Sequence, residues 1–279
     1  MNIRSNRTRA VPVITYHATR LGTGCYGDDD HATLAEDLRY LQTSGWRVAR
    51  LHDVVDALLH GRLDTLQRCV AITFDDGTDL DWRDVTHPVH GQQRSLAGII
   101  ADFSQQQRAN PIHATSFVIA GPGPRLDLDR NCLGGAAWWN EDWWPDAVRA
   151  SLAIENHSWD HNHDQLCDTP VAPSSRGTFS TVDTWEQCDR QIRQATEYID
   201  RRLQPFHRCS LLAFPYGEYS DYMVQVYLPE YEAQHRIRAA FTTAGGPVHA
   251  ATSRWTIPRF VCGEHWRTPE EFAAILREC

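Results

Sequence analysis

Short apolar runs alternate along this chain with segments of helical periodicity, and this alternation restricts the possible folds more than any other feature. The runs that predict strands include Val11–Tyr16, Cys69–Phe74, Leu152–Asn156, Arg208–Phe214, Ile237–Thr242 and Ile257–Val261. Between the first two runs, Leu34, Leu38 and Leu41 recur at the spacing of one helix face. Alternating strands and helices over 279 residues predict an α/β fold with a mainly parallel sheet.

The domain organisation follows from the absence of dividing segments. We expect a single domain over residues 1–279, because no Ser/Gly-rich linker and no internal repeat interrupts the chain. Two segments look like inserted loops: residues 122–145 are rich in Trp, Gly and Asp, and residues 164–180 in Ser, Thr and Pro. Loops on a rigid scaffold often carry binding residues.

Charge and composition exclude several classes of partner. A formal net charge of −9 disfavours nucleic acid, which calls for a basic patch. No run approaches the roughly 18 apolar residues of a membrane helix, and Met1–Ala10 lacks the apolar core of a signal peptide. We therefore expect no nucleic-acid partner, no membrane span and a cytoplasmic location, with the oligomeric state left open. Eight cysteines without a C-x-x-C pair predict reduced, mostly buried thiols.

Four polar clusters each follow directly after an apolar strand. These clusters are His17, Asp75-Asp76-Gly77, the pair His157 and His161, and Pro215-Tyr216-Gly217. In a barrel of parallel strands, the carboxyl ends of all strands meet on one face, and that face holds the active site. Segments that are distant in sequence are therefore expected to converge there.

The residue types in these clusters suit a catalytic metal site. His157 and His161 are four residues apart, as one helical turn would place two ligands, and Asp76 adds an oxygen. Two imidazoles and one carboxylate leave positions open for water. A metal there would lower the pKa of water and polarise a carbonyl, and Asp75 would take the proton. A lone H-x-x-x-H is common on surface helices, and a lone Asp-Asp-Gly is usually a turn. Because both motifs occur here, each at the end of a predicted strand, we favour a metal site over these simpler interpretations.

These motifs resemble those of a known family. Thr73-Phe74-Asp75-Asp76-Gly77 and His157-Ser158-Trp159-Asp160-His161 resemble the first two motifs of the polysaccharide deacetylases, carbohydrate esterase family four with NodB homology. The resemblance extends over residues 11–276. It implies a distorted (β/α) barrel, one divalent metal ion that is usually zinc, Asp75 as catalytic base, and Asp76, His157 and His161 as metal ligands.

The third family motif, Arg-x-Pro-Tyr, is altered here. The segment reads Ala213-Phe214-Pro215-Tyr216-Gly217, so the Arg that orients the base is Ala213. This form is nearer the biofilm poly-N-acetylglucosamine deacetylases, which also carry an early Tyr-His like Tyr16-His17. That likeness implies His17 as general acid and Tyr216 as donor of its backbone N–H to the oxyanion, with Pro215 and Tyr216 at the substrate. His265 is the alternative acid, and the group that holds Asp75 stays open.

Aromatic residues and substrate complete the sequence-based expectations. Trp138, Trp139, Trp143 and Trp144 are expected to form a sugar platform, with some of them packing the loop instead. The expected function is hydrolysis of N-acetyl groups on a glycan. One alternative is a related metal amidohydrolase acting on a small amide, formyl or cyclic imide substrate. The other is a catalytically weak carbohydrate-binding protein, suggested only by Ala213.

Overall fold

The computed structural model describes residues 10–107, 112–166 and 175–279, and these contain ten strands. The strands are β1 (Val13–His17), β2 (Arg47–Val48), β3 (Cys69–Asp75), β4 (Val85–His87), β5 (Gly91–Gln93), β6 (Ala114–Val118), β7 (Leu152–Asn156), β8 (Leu211–Ala213), β9 (Ala239–Phe241) and β10 (Phe260–Val261). Six of the sequence-predicted runs therefore contain strands, although several strands are shorter than predicted.

Seven of these strands form one curled parallel sheet. Their order is β10-β1-β3-β6-β7-β8-β9, β2 pairs with β3, and β4 with β5 forms a separate antiparallel hairpin. The sheet forms a half-barrel surrounded by helices, which confirms the expected distorted (β/α) barrel. In the register of β1 against β3, His17 lies opposite Asp75, so two predicted site residues end adjacent strands.

The pleat of the strands separates two hydrophobic clusters. On β3, Ile72 and Phe74 belong to the cluster shared with the surrounding helices, whereas Ala71 belongs to a cluster with Phe117 and Phe241 from other strands. Every residue of β3 is buried, as expected for a central strand of a covered parallel sheet. Because side chains alternate, Asp75 lies on the same side of β3 as Ala71, toward the barrel interior.

Helices connect and cover the strands. They are α1 (Asp30–Thr43), α2 (Leu51–Leu59), α3 (Leu96–Gln107), α4 (Pro122–Cys132), α5 (Trp144–Arg149), α6 (Trp185–Cys188), a π-helix (Asp189–Gln194), α7 (Ala195–Leu203), α8 (Leu228–Glu230), α9 (Glu232–His235) and α10 (Pro269–Glu278). Shorter helical turns are Leu63–Thr65, Asp79–Asp81, Pro215–Gly217 and the π turn Met223–Tyr227. Helix α10 begins with a capping box in which Thr268 accepts from the Glu271 N–H.

The expectation that residues 122–145 form a loop is wrong over much of that range. Pro122–Cys132 is helix α4, with proline in its first turn, and Trp144 begins helix α5. The glycines that suggested a loop lie at or outside the ends of α4, apart from Gly123 in its first turn. Of the second predicted loop, residues 167–174 lie outside the described residues.

The cysteines and the helices test the expectations of reduced thiols and of no membrane span. All seven described cysteines are free, and four of them, Cys69, Cys188, Cys209 and Cys262, are buried, while Cys167 is outside the described range. In the part of the chain that is described, no helix combines the length and apolar character needed to cross a membrane. The cytoplasmic location stays a prediction.

Candidate active site

Asp76, His157 and His161 come together beyond the carboxyl ends of β3 and β7. The Nε2 atoms of His157 and His161 each lie 3.7 Å from Asp76 Oδ1. One ligand atom from each of the three residues lies within 4.8 Å of the other two. Two ligand atoms on a tetrahedral ion with bonds of about 2.1 Å are about 3.4 Å apart. The three side chains are therefore spaced to hold one metal ion.

The backbone around the histidines is a loop, which corrects the expected helical turn. Ser158 and His161 have left-handed φ values of 73° and 62°, which a helix does not allow. Asn156 Oδ1 accepts from the Ser158 N–H at 2.6 Å, and Ser158 Oγ accepts from the His161 N–H at 2.9 Å. These side-chain bonds to the backbone replace helical hydrogen bonds. The loop nevertheless brings both imidazoles to one carboxylate.

The protonation of the histidines suits metal binding. His157 Nδ1 lies 2.9 Å from the carbonyl of Ala213, so Nδ1 carries the proton and Nε2 presents its lone pair. Burial, followed by the proximity of His157, lowers the pKa of His161 well below its usual value. A neutral imidazole is the form that ligates a metal.

Asp75 is held by an arginine that the sequence analysis did not identify. Arg259 Nη1 and Nη2 donate to Asp75 Oδ1 and Oδ2, both at 2.7 Å, and both side chains are buried. Burial alone would raise the pKa of Asp75, but the Arg259 charge outweighs it, and the pKa lies well below its ordinary range. Asp75 is thus an ionised carboxylate inside the barrel.

Arg259 pairs with Asp75 although the arginine of the family motif is replaced by Ala213. It lies 184 residues after Asp75, directly before β10. Its signal in the sequence is a single charged residue within the apolar run Ile257–Val261, because a charge in a buried strand requires a partner.

His17 ends β1 beside Asp75, and its backbone is fixed on both sides. The His17 N–H donates to Asp30 Oδ2 at 2.7 Å, and the His17 carbonyl accepts from the Arg20 N–H at 2.9 Å. His265, the alternative acid, instead accepts the Val261 N–H at Nδ1, at 2.9 Å. His17 lines the cavity that contains Asp75, and His265 does not.

Tyr216 lies in a tight turn beside His161 of the candidate metal site. It has a φ of 58°, and its ring packs edge-on against His161 with 4.4 Å between ring centroids. Gly217 follows with a φ of 69°, and a Cβ there would lie 2.1 Å from Thr243 Oγ1. Glycine is therefore required at the position that lets Pro215 and Tyr216 approach the site.

The four tryptophans have different environments. Trp143 and Trp144 are fully buried in the main hydrophobic cluster, so their assignment to substrate binding is wrong. Trp138 is half-buried and packs on His87 of the β4–β5 hairpin. Trp139 lines the site, and its Nε1 donates to the Asp76 carbonyl at 3.0 Å. Of the four, only Trp139 lines the cavity that contains Asp75 and His17.

Seven of the predicted site residues share one cavity of about 420 Å³, whereas Pro215, Trp138, Trp143 and Trp144 do not line it. It is lined by His17, Thr19, Asp75, Asp76, Cys132, Leu133, Trp139, His157, His161, His163, Tyr216, Gly217 and Thr243. A carboxylate base, a histidine and a potential metal site in one cavity can activate water and protonate a leaving group.

Comparison with known proteins agrees with this geometry. The family model described as polysaccharide deacetylase matches residues 62–228, more than half of the chain. Among curated proteins, none matches the sequence significantly.

Solved structures share the fold at low sequence identity. The Streptococcus pyogenes deacetylase PplD in complex with acetate has a TM-score of 0.63 and 17% identity, covering 96% of this chain and 99% of that one. IcaB from Ammonifex degensii has a TM-score of 0.64 and 16% identity, covering 98% of this chain and 97% of that one. The de-N-acetylase from Aggregatibacter actinomycetemcomitans has a TM-score of 0.64 and 14% identity, covering 95% of this chain and 99% of that one. The chain therefore belongs to the polysaccharide deacetylase family, hydrolases that act on carbon–nitrogen bonds other than peptide bonds.

Proposed function

We propose that this protein is a metal-dependent deacetylase that hydrolyses N-acetyl groups on the amino sugars of a polysaccharide. The observation that carries the proposal is the pairing of buried Arg259 with Asp75 beside the Asp76, His157 and His161 triad. An ionised carboxylate next to a two-histidine, one-carboxylate site is a combination that can hydrolyse an unactivated amide.

Asp76, His157 and His161 would hold one divalent ion, which we propose to be zinc. Their donor set of two imidazole nitrogens and one carboxylate oxygen, with the His157 tautomer fixed by Ala213, fits a catalytic zinc site. When bound, such an ion lowers the pKa of water and polarises the acyl carbonyl.

The protein side chains would then move the protons. Asp75, kept ionised by Arg259, accepts the proton of the attacking water. His17, at the end of the neighbouring strand, donates a proton to the departing amine. The backbone N–H of Tyr216 stabilises the oxyanion, and Pro215 and Tyr216 bound the acyl group.

The substrate class rests on the family and on the likeness of two segments. Tyr16-His17 and Phe214-Pro215-Tyr216-Gly217 resemble the poly-N-acetylglucosamine deacetylases. One structurally similar protein is described as a de-N-acetylase, and another is a deacetylase with bound acetate. Trp139 offers an aromatic wall for a sugar ring. We therefore propose an N-acetylglucosamine polymer as substrate.

Acetate release from a panel of acetylated glycans, with and without chelator, tests the proposal. We expect release from oligomers of N-acetylglucosamine that a chelator abolishes and zinc restores. Hydrolysis of small formyl amides or cyclic imides without glycan turnover would instead assign a small-amide amidohydrolase. A carbohydrate-binding protein without catalysis is disfavoured, since Arg259 replaces the arginine missing at Ala213.

The metal site predicts a specific change in metal content. Wild-type protein should carry about one divalent ion per chain, and His157→Ala should carry almost none, because one of three protein ligands is lost. Elemental analysis after dialysis measures this. His163→Ala is the matched control, because His163 lines the same cavity outside the triad. Full occupancy in His157→Ala would refute the ligand assignment.

The role of His17 predicts a dependence on the leaving group. His17→Ala should lower amide turnover by on the order of 10²–10⁴, because an amine leaves only when protonated. Turnover of an ester with a good leaving group should fall much less, and metal content should not change. His265→Ala should leave the ratio of amide to ester rates unchanged. Equal losses on both substrates in His17→Ala would indicate that His17 positions the substrate.

A further inference from the structure

The helix behind the histidine loop contains an uncommon π segment. Helices α6 and α7 are continuous through the π-helix Asp189–Gln194, so residues 185–203 form one helix. In a π segment each hydrogen bond spans one residue more than in an α-helix, which rotates the side chains relative to an α-helical register. Such segments occur frequently at functional sites.

The π segment directs one glutamine to the loop that carries both histidine ligands. Gln191 is 2% exposed. Its Oε1 accepts from the backbone N–H groups of Trp159 and Asp160 at 3.1 and 3.3 Å, and its Nε2 donates to Asp160 Oδ1 at 2.6 Å. One side chain thus makes three hydrogen bonds to the two residues directly before His161.

A second contact ties the other end of the loop to the same helix. Asn156 Nδ2 donates to the Ile192 carbonyl and to Thr196 Oγ1, both at 2.9 Å. Asn156 Oδ1 simultaneously accepts from the Ser158 N–H. The loop that carries His157 and His161, in which Ser158 and His161 are left-handed, is therefore attached to this helix both at Asn156 and at Trp159–Asp160.

We propose that Gln191 is a positioning residue for the metal site, acting through the backbone of Trp159 and Asp160 on His161. This inference rests on the proposed metal dependence. Hydrogen bonds that orient ligands commonly change metal affinity by 10–100-fold when removed. Gln191 has no contact with the substrate cavity, so its effect must pass through the loop.

Metal affinity, measured by competition with a chromophoric zinc chelator, tests the role of Gln191. Gln191→Leu keeps the side-chain volume and removes all three hydrogen bonds, and we expect a 10–100-fold weaker zinc affinity. Gln191→Glu keeps an acceptor for the two N–H groups but replaces the donor to Asp160 with a second carboxylate oxygen, so zinc affinity should also fall. Gln194→Ala is the matched control, because Gln194 lies on the same π segment, is exposed and bonds only to Asp189 among the described residues.

Amide hydrogen exchange of metal-free protein provides a second readout. The Trp159 and Asp160 amides should exchange faster in Gln191→Leu than in wild type, and this readout also serves if the leucine variant is less stable overall. The inference about Gln191 would be overturned if folded Gln191→Leu bound zinc as tightly as wild type. It would also be overturned if Gln194→Ala lost as much zinc affinity as Gln191→Leu, and in either case the proposed metal dependence would still stand. If Gln191→Leu does not fold, Gln191→Glu decides: weaker zinc affinity together with faster exchange of the Trp159 and Asp160 amides supports the inference, and wild-type affinity and exchange overturn it. Absence of zinc binding by wild type would overturn the proposed metal dependence as well.

Discussion

Replacing Asp75 with asparagine should lower the turnover of acetylated glycan by on the order of 10²–10⁴, the usual contribution of a general base. Asparagine has nearly the same shape as aspartate but cannot accept a proton at neutral pH. The metal ligands are unchanged, so metal content should equal that of wild type. Steady-state acetate release at saturating substrate, with elemental analysis of the same sample, measures both quantities.

The control for this substitution must account for Arg259. Asp75→Asn leaves the buried guanidinium without its counter-charge, so some loss of stability is expected and must be separated from the loss of rate. Rates should therefore be compared at a temperature where denaturation curves show both proteins folded. Asp84→Asn, at an exposed aspartate that pairs with Arg94 and accepts from the Ser95 N–H, controls for the same substitution outside the cavity. An unchanged rate in folded Asp75→Asn would remove Asp75 from the mechanism.

The positions of the site residues could be predicted because they follow strands. Asp75 and Asp76 directly follow the apolar run Val70–Phe74, and His157 directly follows the short strand Leu152–Asn156. Parallel strands bring such ends to one face whatever the intervening sequence does, so their convergence needs no knowledge of the loops.

The conformations between the strands could not be predicted in the same way. H-x-x-x-H spacing suits a helical turn, but the side chains of Asn156 and Ser158 bond the backbone and produce a loop instead. Trp143 and Trp144 lie in a polar-flanked segment, yet they pack into the core. Local pattern does not reveal which face of a short segment the rest of the fold will cover.

The pairing of Arg259 with Asp75 could not be predicted from the sequence, for a different reason. Its partner Asp75 is 184 residues away, and the family motif places the equivalent arginine at the position occupied here by Ala213. Ala213 and Phe117 belong to the cluster inside the barrel, and the Arg259 guanidinium lies over Phe117. Since several strands border this interior, more than one of them can supply a charge to Asp75, and the sequence pattern of a single strand does not show which.

Replacing Arg259 with methionine should therefore have both a stability and a catalytic effect. Removing one partner of a buried ion pair typically costs about 3–5 kcal/mol, because the remaining charge is buried without compensation. Urea denaturation measures the free energy of unfolding. Arg259→Lys keeps the charge but loses the two-point geometry and should fall between wild type and Arg259→Met. The second substitution Asp75→Asn should cost much less in the Arg259→Met background than in wild type, since the pair is already broken.

The catalytic effect of Arg259→Met should appear in the pH profile. In wild type the folded-state pKa of Asp75 is depressed, so the stabilisation from the pair is present above the unfolded pKa of about 3.9 and is lost as pH falls through the folded pKa. Without Arg259, burial raises this pKa, and a larger share of Asp75 is protonated in weakly acidic buffer. The acidic limb of kcat/KM should therefore move to higher pH, with loss of on the order of 10²-fold from misplacement of the base. An acidic limb at the wild-type position in folded Arg259→Met would mean that another group keeps Asp75 ionised.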